Sequence, residues 1–240
     1  MNNIKKYAVI VAGGKGSRMG AAIPKQFLHL HGKPLLCYPI QAFAEAIPGI
    51  RIILVVPEDQ LKSAEIVIRS YLNGIHVTVL PGGETRYHSV RNGLKKIQDD
   101  GGIVFVHDGA RPLVSRDLIV RCLQQAEEKG SAIPAVTVTD SMRQIVNGGT
   151  RPLDRDSLRI VQTPQTFKTG IILPAFQQPY LPSFTDEATV VEALGKKIYL
   201  IDGDRGNIKV TTPGDMILAD ALLRSREKGV SIEPSLNNDR

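Results

Sequence analysis

Apolar runs of strand length alternate with amphipathic stretches of helix length along most of this chain, a rhythm that confines it to the α/β class. The strand-like runs are Tyr7–Val11, Arg51–Val56, Ile75–Leu80, Ile103–His107, Ala132–Val138, Leu158–Gln162 and Lys197–Ile201. Between them, Ser115 can cap a helix that ends before Gly130. Thr212-Pro213-Gly214-Asp215 combines a capping threonine, a proline at the first helical position and an acid at the third, opening a helix that stops near Gly229. Strands joined through helices pair in parallel by right-handed crossovers, and the functional crevice of such a sheet lies beyond the strand C-termini. At 240 residues and 42% hydrophobic content the chain can bury one substantial core. Residues 1–229 read as a single domain and 230–240 as a polar, flexible tail.

One stretch breaks the rhythm. Thr137–Leu153 places two modest strand-like runs around Asn147-Gly148-Gly149, the signal of a hairpin projecting from the sheet, either as plain surface or as a dimerisation arm covering about 137–157. Cys37 and Cys122 lie in predicted helices without metal-ligand spacing and read as packed, reduced thiols. The first apolar run is too short for a signal-peptide core and nothing approaches a membrane-spanning helix, so the expected setting is cytoplasmic, with no membrane partner. A formal charge of +6 permits an anionic partner, but scattered cations and 5% aromatic residues offer no stacking platform for nucleic acid.

The first strand runs into Ala12–Gly20, a glycine-rich turn carrying Lys15 and Arg18, with Lys25 shortly after. Backbone N–H groups exposed at the end of an apolar strand, with small side chains around them, let an anion approach closely, and three cations suit more than one phosphate. The turn is neither a P-loop, because no Gly-Lys pair at the right spacing is followed by Ser or Thr, nor a dinucleotide fingerprint, because Met19 stands at the third glycine position. The alternative is an ordinary strand-to-helix turn. The run ending at His107 continues into Asp108-Gly109-Ala110-Arg111-Pro112, which should put Asp108 at the mouth of the same crevice. One carboxylate beside a polyphosphate suits magnesium, which takes the rest of its shell from phosphate oxygens and water; the other reading of Asp108 is a turn cap. His107, without a partner His or Cys, reads as packing. Pro81-Gly82-Gly83-Glu84-Thr85-Arg86 and Ser89 follow another strand, where open backbone groups could read a base edge or form an everyday turn.

Ordered motifs then point further: AGGKGSRMG (12–20), PKQF (24–27), GGETR (82–86), SVRNGL (89–94), VHDGARP (106–112), LDRDSLRIVQTPQTF (153–167), TDEA (185–188) and NIKVTTPGD (207–215). With these the chain resembles the 2-C-methyl-D-erythritol 4-phosphate cytidylyltransferase family of the sugar-nucleotidyltransferase superfamily over nearly its whole length. The resemblance implies a single-domain Rossmann-like α/β/α sandwich with a mostly parallel twisted sheet and a projecting β-hairpin arm. It implies that Ala12, Gly13, Gly14, Gly16, Gly82, Gly83 and Ser89 hold cytidine and its phosphates, that Arg18, Lys25 and Lys209 hold the triphosphate and its transition state, and that Asp108 holds Mg2+. Asp140, Arg111, Arg155, Thr163, Thr185 and Asp186 would hold the sugar-alcohol phosphate, with Arg155 reaching across a homodimer built on the arm. Gly109, Arg159 and Gly206 depart from residues usual in that family, which has Ala, Trp and an acid at these places.

The residues suit this chemistry independently. A phosphate monoester with its second pKa near ~6 is already a dianionic nucleophile at neutral pH. Positioning and charge neutralisation are then what the protein must supply, and the motifs offer cations and backbone donors without a nucleophile–base pair. The competing readings are a ribitol- or other polyol-phosphate cytidylyltransferase, a non-catalytic nucleotide-binding regulator, and a dehydrogenase, the last disfavoured by the failed fingerprint.

Overall fold

A computed structural model describes residues 4–14, 23–98 and 101–228. In chain order the strands are β1 Lys6–Val11, β2 His29–Leu30, β3 Lys33–Pro34, β4 Arg51–Val56, β5 Val77–Pro81, β6 Ile103–Asp108, β7 Ser131–Thr137, β8 Met142–Val146, β9 Gly149–Leu153, β10 Arg159–Val161, β11 Gln165–Lys168 and β12 Leu200–Asp202. The helices are α1 Cys37–Ala46, α2 Leu61–Tyr71, α3 Arg86–Leu94, α4 Arg116–Lys129, α5 Thr169–Ala175, α6 Glu187–Ala193 and α7 Pro213–Glu227.

The central sheet has the order β10-β7-β11-β6-β1-β4-β5, with β12 paired to β7. Strand β1 pairs in parallel with β4 on one side and β6 on the other, and β4 with β5, whereas β10 and β11 run antiparallel to their neighbours. The chain therefore leaves β1 in one direction along the sheet and later returns to its other side. This reversal opens a crevice at the C-terminal ends of β1 and β6, where Val11 is in register with Asp108.

Alternation along the buried strands divides the core into two layers. Ala8, Ile10, Ile52, Leu54 and Phe105 face α1 and α4, which contribute Ile40, Phe43, Leu118 and Cys122. Tyr7, Val9, Val55, Val104 and Val106 face α3, α5 and α6, which contribute Val90, Leu94, Ile172 and Val191. Full burial of side chains such as Ile10 or Phe105 contributes about 1.5–3 kcal/mol each. A third, smaller cluster of Leu30, Leu35, Leu113, Val210 and Ala219 seats α7 beside the crevice. Both cysteines are buried in helices and neither forms a disulfide.

The terminal signals act as their chemistry requires. The Ser115 hydroxyl accepts the Leu118 N–H at 3.2 Å, and α4 stops where Gly130 adopts φ 91°. Thr212 and Asp215 form a reciprocal capping box around Pro213. Residues 142–152 form the expected hairpin, exposed throughout, turning at Asn147 (φ 48°) and Gly148 (φ 79°). The structure adds β11 and the short β2–β3 hairpin, neither of which an apolar run marks. The expected tail at 230–240 lies outside the described residues. No helix among the described residues is long and apolar enough to cross a membrane.

Candidate functional site

The crevice is a cleft of about 300 Å³ walled by the turns after β1, β5 and β6, by the first turn of α3 and by the segment before α7. Gly109 N–H donates to Val11 O at 2.8 Å and Ala12 N–H to Val55 O at 2.8 Å, extending the ladder past the strand ends. The turn after β5 folds across the end of β4, with Gly82 N–H on Val56 O at 2.7 Å. Gly83 has no room for a side chain, because a Cβ there would lie 2.5 Å from the Cβ of His88. Its N–H instead reaches the Ser89 hydroxyl at 3.1 Å, and that hydroxyl donates to Thr85 O. The first turn of α3 is thereby fixed at the cleft, with the positive end of a helix dipole beside it.

Ala12, Gly13, Gly14, Lys25, Gly83, Ser89, Asp108 and Lys209 all line this one cleft. Gly82 lies against its wall, where a Cβ would come within 3.0 Å of the Ser89 hydroxyl. Lys25, from the short helical turn after Pro24, donates to Val210 O at 3.1 Å and so reaches the strand-like segment that carries Lys209. Gly16 and Arg18, like Lys15, lie outside the described residues.

Asp108 does not cap a turn with its side chain. Its Oδ2 lies 2.8 Å from Lys209 Nζ, and its Oδ1 accepts from Arg86 Nε at 3.0 Å. Burial pushes the Asp108 pKa up, but Arg86 and Lys209 outweigh it and hold the carboxyl well below the usual carboxylate range. Arg86 spends its two terminal nitrogens on Glu187, Nη1 on Oε1 and Nη2 on Oε2 at 3.1 Å. Burial would lower the Arg86 pKa, and the two carboxylates together raise it. Neither Arg86 nor Glu187 is singled out by the sequence, although both stand inside motifs, GGETR and TDEA. Charged residues 101 apart in the chain give no local sign that they pair.

Behind Asp108 lies a buried polar network. Asp108 N–H donates to the Thr163 hydroxyl at 3.0 Å, that hydroxyl meets His107 Nδ1 at 3.2 Å, and His107 Nε2 meets Arg111 O at 3.1 Å. The carbonyl requires a proton on Nε2, and the hydroxyl can donate to Nδ1, an order satisfied by the neutral Nε2–H tautomer of His107. Burial agrees, taking its pKa down to about 4. Asn207 extends the network: its Nδ2 donates to Thr163 O at 2.8 Å while its backbone carbonyl accepts from Arg111 Nη1 at 2.7 Å. Thr163 and Arg111, expected on the acceptor side, are thus buried and engaged from behind the cleft.

The remaining acceptor-side residues fall elsewhere. Asp140 and Arg155 are exposed at the root of the hairpin arm, with Arg155 Nη1 on Thr139 O at 2.8 Å. Thr185 is exposed, and Asp186 caps α6, accepting from Thr189 N–H at 2.9 Å and from Gln165 Nε2 at 2.9 Å. Among the described residues no group of three or more His, Cys, Asp or Glu is arranged to hold a metal ion. Two carboxylates line the cleft, Asp108 and Glu84.

Residues 7–225 match the family model for 2-C-methyl-D-erythritol 4-phosphate cytidylyltransferase, IspD. An enzyme of that name from Phocaeicola vulgatus is 42% identical over 220 residues, covering 92% of this chain and 100% of the relative. Another from Porphyromonas gingivalis is 45% identical over 222 residues, covering 92% and 99%. Among solved structures, the Francisella tularensis enzyme of that name superposes with a TM-score of 0.75 at 31% identity, covering 91% of this chain and 99% of the other. The Thermus thermophilus enzyme gives 0.71 at 30% identity, covering 90% and 98%.

Proposed function

The chain belongs to the 2-C-methyl-D-erythritol 4-phosphate cytidylyltransferase family, and on that premise we propose how its cleft carries out the transfer. The reaction joins CTP and 2-C-methyl-D-erythritol 4-phosphate to give 4-diphosphocytidyl-2-C-methyl-D-erythritol and pyrophosphate, a step in making isoprenoid precursors by the non-mevalonate route. An acceptor phosphate oxygen attacks the α-phosphorus of CTP, a P–O bond forms, and the bond from that phosphorus to the β-bridging oxygen breaks. Pyrophosphate takes the electron pair and leaves.

The observation that carries the reading is the meeting of the glycine turn, Lys25, Lys209 and Asp108 in one cleft. Backbone donors at Gly13 and Gly14 and the first turn of α3 would hold the nucleotide, with Ala12 giving the cradle a small wall, Gly83 and Ser89 at its base side and Gly82 supporting their turn. Lys25, Lys209 and Arg18 would neutralise charge gathering on the α-phosphorus and the departing pyrophosphate. No general base is required of an acceptor that is already a dianion, and buried, neutral His107 is not placed to act as one.

A divalent cation fits the donor set. Asp108 is an ionised carboxylate lining the cleft beside the glycine turn, and one such ligand suits Mg2+ bound largely by phosphate oxygens and water. Such an ion would supply positive charge to the triphosphate. Lys209, now paired with Asp108, has a side chain 44% exposed and can turn to the phosphates.

The acceptor would be held by Thr185 together with Asp140 and Arg155, with Arg111 and Thr163 bracing Asp108 from behind and Asp186 fixing the start of α6. Because Arg155 and Asp140 stand on an exposed arm, we assign them to the site of a second subunit in a homodimer. Supporting this, Ile145 is 81% exposed on a hairpin that its own chain leaves uncovered. Pyrophosphate release from CTP with methylerythritol phosphate, with ribitol phosphate and without acceptor tests the function. Release confined to the first is expected; equal release with ribitol phosphate, or none with either, would overturn it.

A further inference from the structure

Glu187 is 1% exposed, a carboxylate withdrawn from water at the first position of α6. The start of that helix is fixed from two sides: Asp186 caps it, and Gln165 on β11 accepts from Ala188 N–H at 2.8 Å while donating to Asp186. A buried ion pair costs desolvation that its own attraction barely repays, so its value lies more in specifying geometry than in holding the fold. The geometry here is particular. Arg86 Nη1 and Nη2 are both taken by Glu187, and the edge left for Asp108, Nε and Nη2 at 3.0 Å, meets a single oxygen, Oδ1. Oδ2 is left to the cleft, where Lys209 now reaches it.

Without Glu187 the guanidinium fork would be free to turn and take both Asp108 oxygens, the bidentate arrangement arginine prefers with a lone carboxylate. That would tie up the oxygen facing the cleft and cancel the charge that attracts a cation. We propose that Glu187 is a positioning residue for nucleotidyl transfer: acting through Arg86, it confines the Arg86–Asp108 contact to one oxygen and keeps the other oxygen of Asp108 turned to the nucleotide's divalent cation. The proposal rests on the cytidylyltransferase reading and deepens it.

The test is calorimetric binding of a non-hydrolysable CTP analogue by the full chain across a magnesium series, without acceptor, alongside steady-state kinetics and thermal unfolding. Glu187→Gln should raise the magnesium concentration for half-maximal analogue binding by roughly 10–100-fold, the usual scale for removing a partner that orients a metal ligand, while the KM for the acceptor stays within about twofold. Glu187→Asp, which keeps the charge on a shorter arm, should fall between wild type and Glu187→Gln. In an Arg86→Gln background the added Glu187→Gln should shift the magnesium requirement no further, because Glu187 has no other route to Asp108. This pair also removes both buried charges, so it remains measurable if the single Glu187→Gln chain does not fold. An unchanged magnesium requirement in Glu187→Gln, or a further shift on top of Arg86→Gln, would overturn the proposal. Absence of wild-type turnover with the acceptor would sink the functional reading separately, while analogue binding would still decide the role of Glu187.

Discussion

Lys25 and Lys209 enter the cleft from different segments. Lys209 reaches Asp108 Oδ2. Lys25 is held by a backbone carbonyl, Val210 O, and lies against the glycine turn, its Cε 3.5 Å from where a Gly14 Cβ would stand. A preorganised ammonium beside the phosphate cradle acts most where charge develops. Lys25→Ala should therefore lower kcat by roughly 10²–10³ with a smaller effect on CTP affinity. Steady-state kinetics with analogue binding check this, and a rise in the CTP KM at constant kcat would mean that Lys25 only binds ground-state phosphate. Lys25, Asp108 and the glycines were legible because each sits where an apolar run breaks, a purely local signal. Arg86 and Glu187 were not, since their chemistry exists only once α3 and α6 pack on the same face of the sheet. Thr163 shows the converse limit: its motif is plain, yet its hydroxyl turns inward to Asp108 N–H and His107, which only the packed strands determine.

Helix α3 carries Arg86 and Ser89 to the cleft, and how closely it approaches the sheet is set by Gly93. A Cβ at Gly93 would lie 2.5 Å from Val9 Cγ1 and 3.3 Å from Val55 Cγ2, both on stiff, fully buried valines. Two effects compete in Gly93→Ala: helix propensity favours alanine by about 1 kcal/mol, and overpacking costs about 1–3 kcal/mol. The collision should win, giving a lower denaturation midpoint, and Val9→Ala should restore much of it in the double variant. Additive losses in that pair would show that the contact does not set the helix position. At this scale the parallel strands were legible from their apolar runs and α4 and α7 from their caps. Strand β11 was not: Gln165–Lys168 has one large apolar residue, Phe167, and is a strand because β6 and β7 offer it ladders on both sides. Propensity cannot signal a strand whose partners make it.

For the molecule as a whole, the hairpin is the element that its own chain does not explain. Residues 142–152 are exposed, a two-stranded ribbon of this kind is marginal in water by itself, and Met142, Ile145 and Val146 present apolar surface on it. In the proposed homodimer a second copy of the chain covers it, and Arg155 serves the neighbouring cleft. A guanidinium fork fits the terminal phosphate of a small acceptor, so Arg155→Ala should raise the acceptor KM and leave CTP-analogue binding nearly intact, with Arg155→Lys only partly restoring acceptor use. If the site is shared, mixing Arg155→Ala with Lys25→Ala and allowing subunits to exchange should restore activity. A mixed dimer then has one cleft with its own Lys25 and the neighbour's Arg155 intact, and another lacking both. At sub-saturating acceptor, activity should grow with the time allowed for exchange and stay at each variant's own reduced level when each is incubated alone. A mixture no more active than its components, with exchange shown independently by mass-labelled subunits, would return Arg155 to the service of its own chain's cleft and leave the arm without a catalytic role.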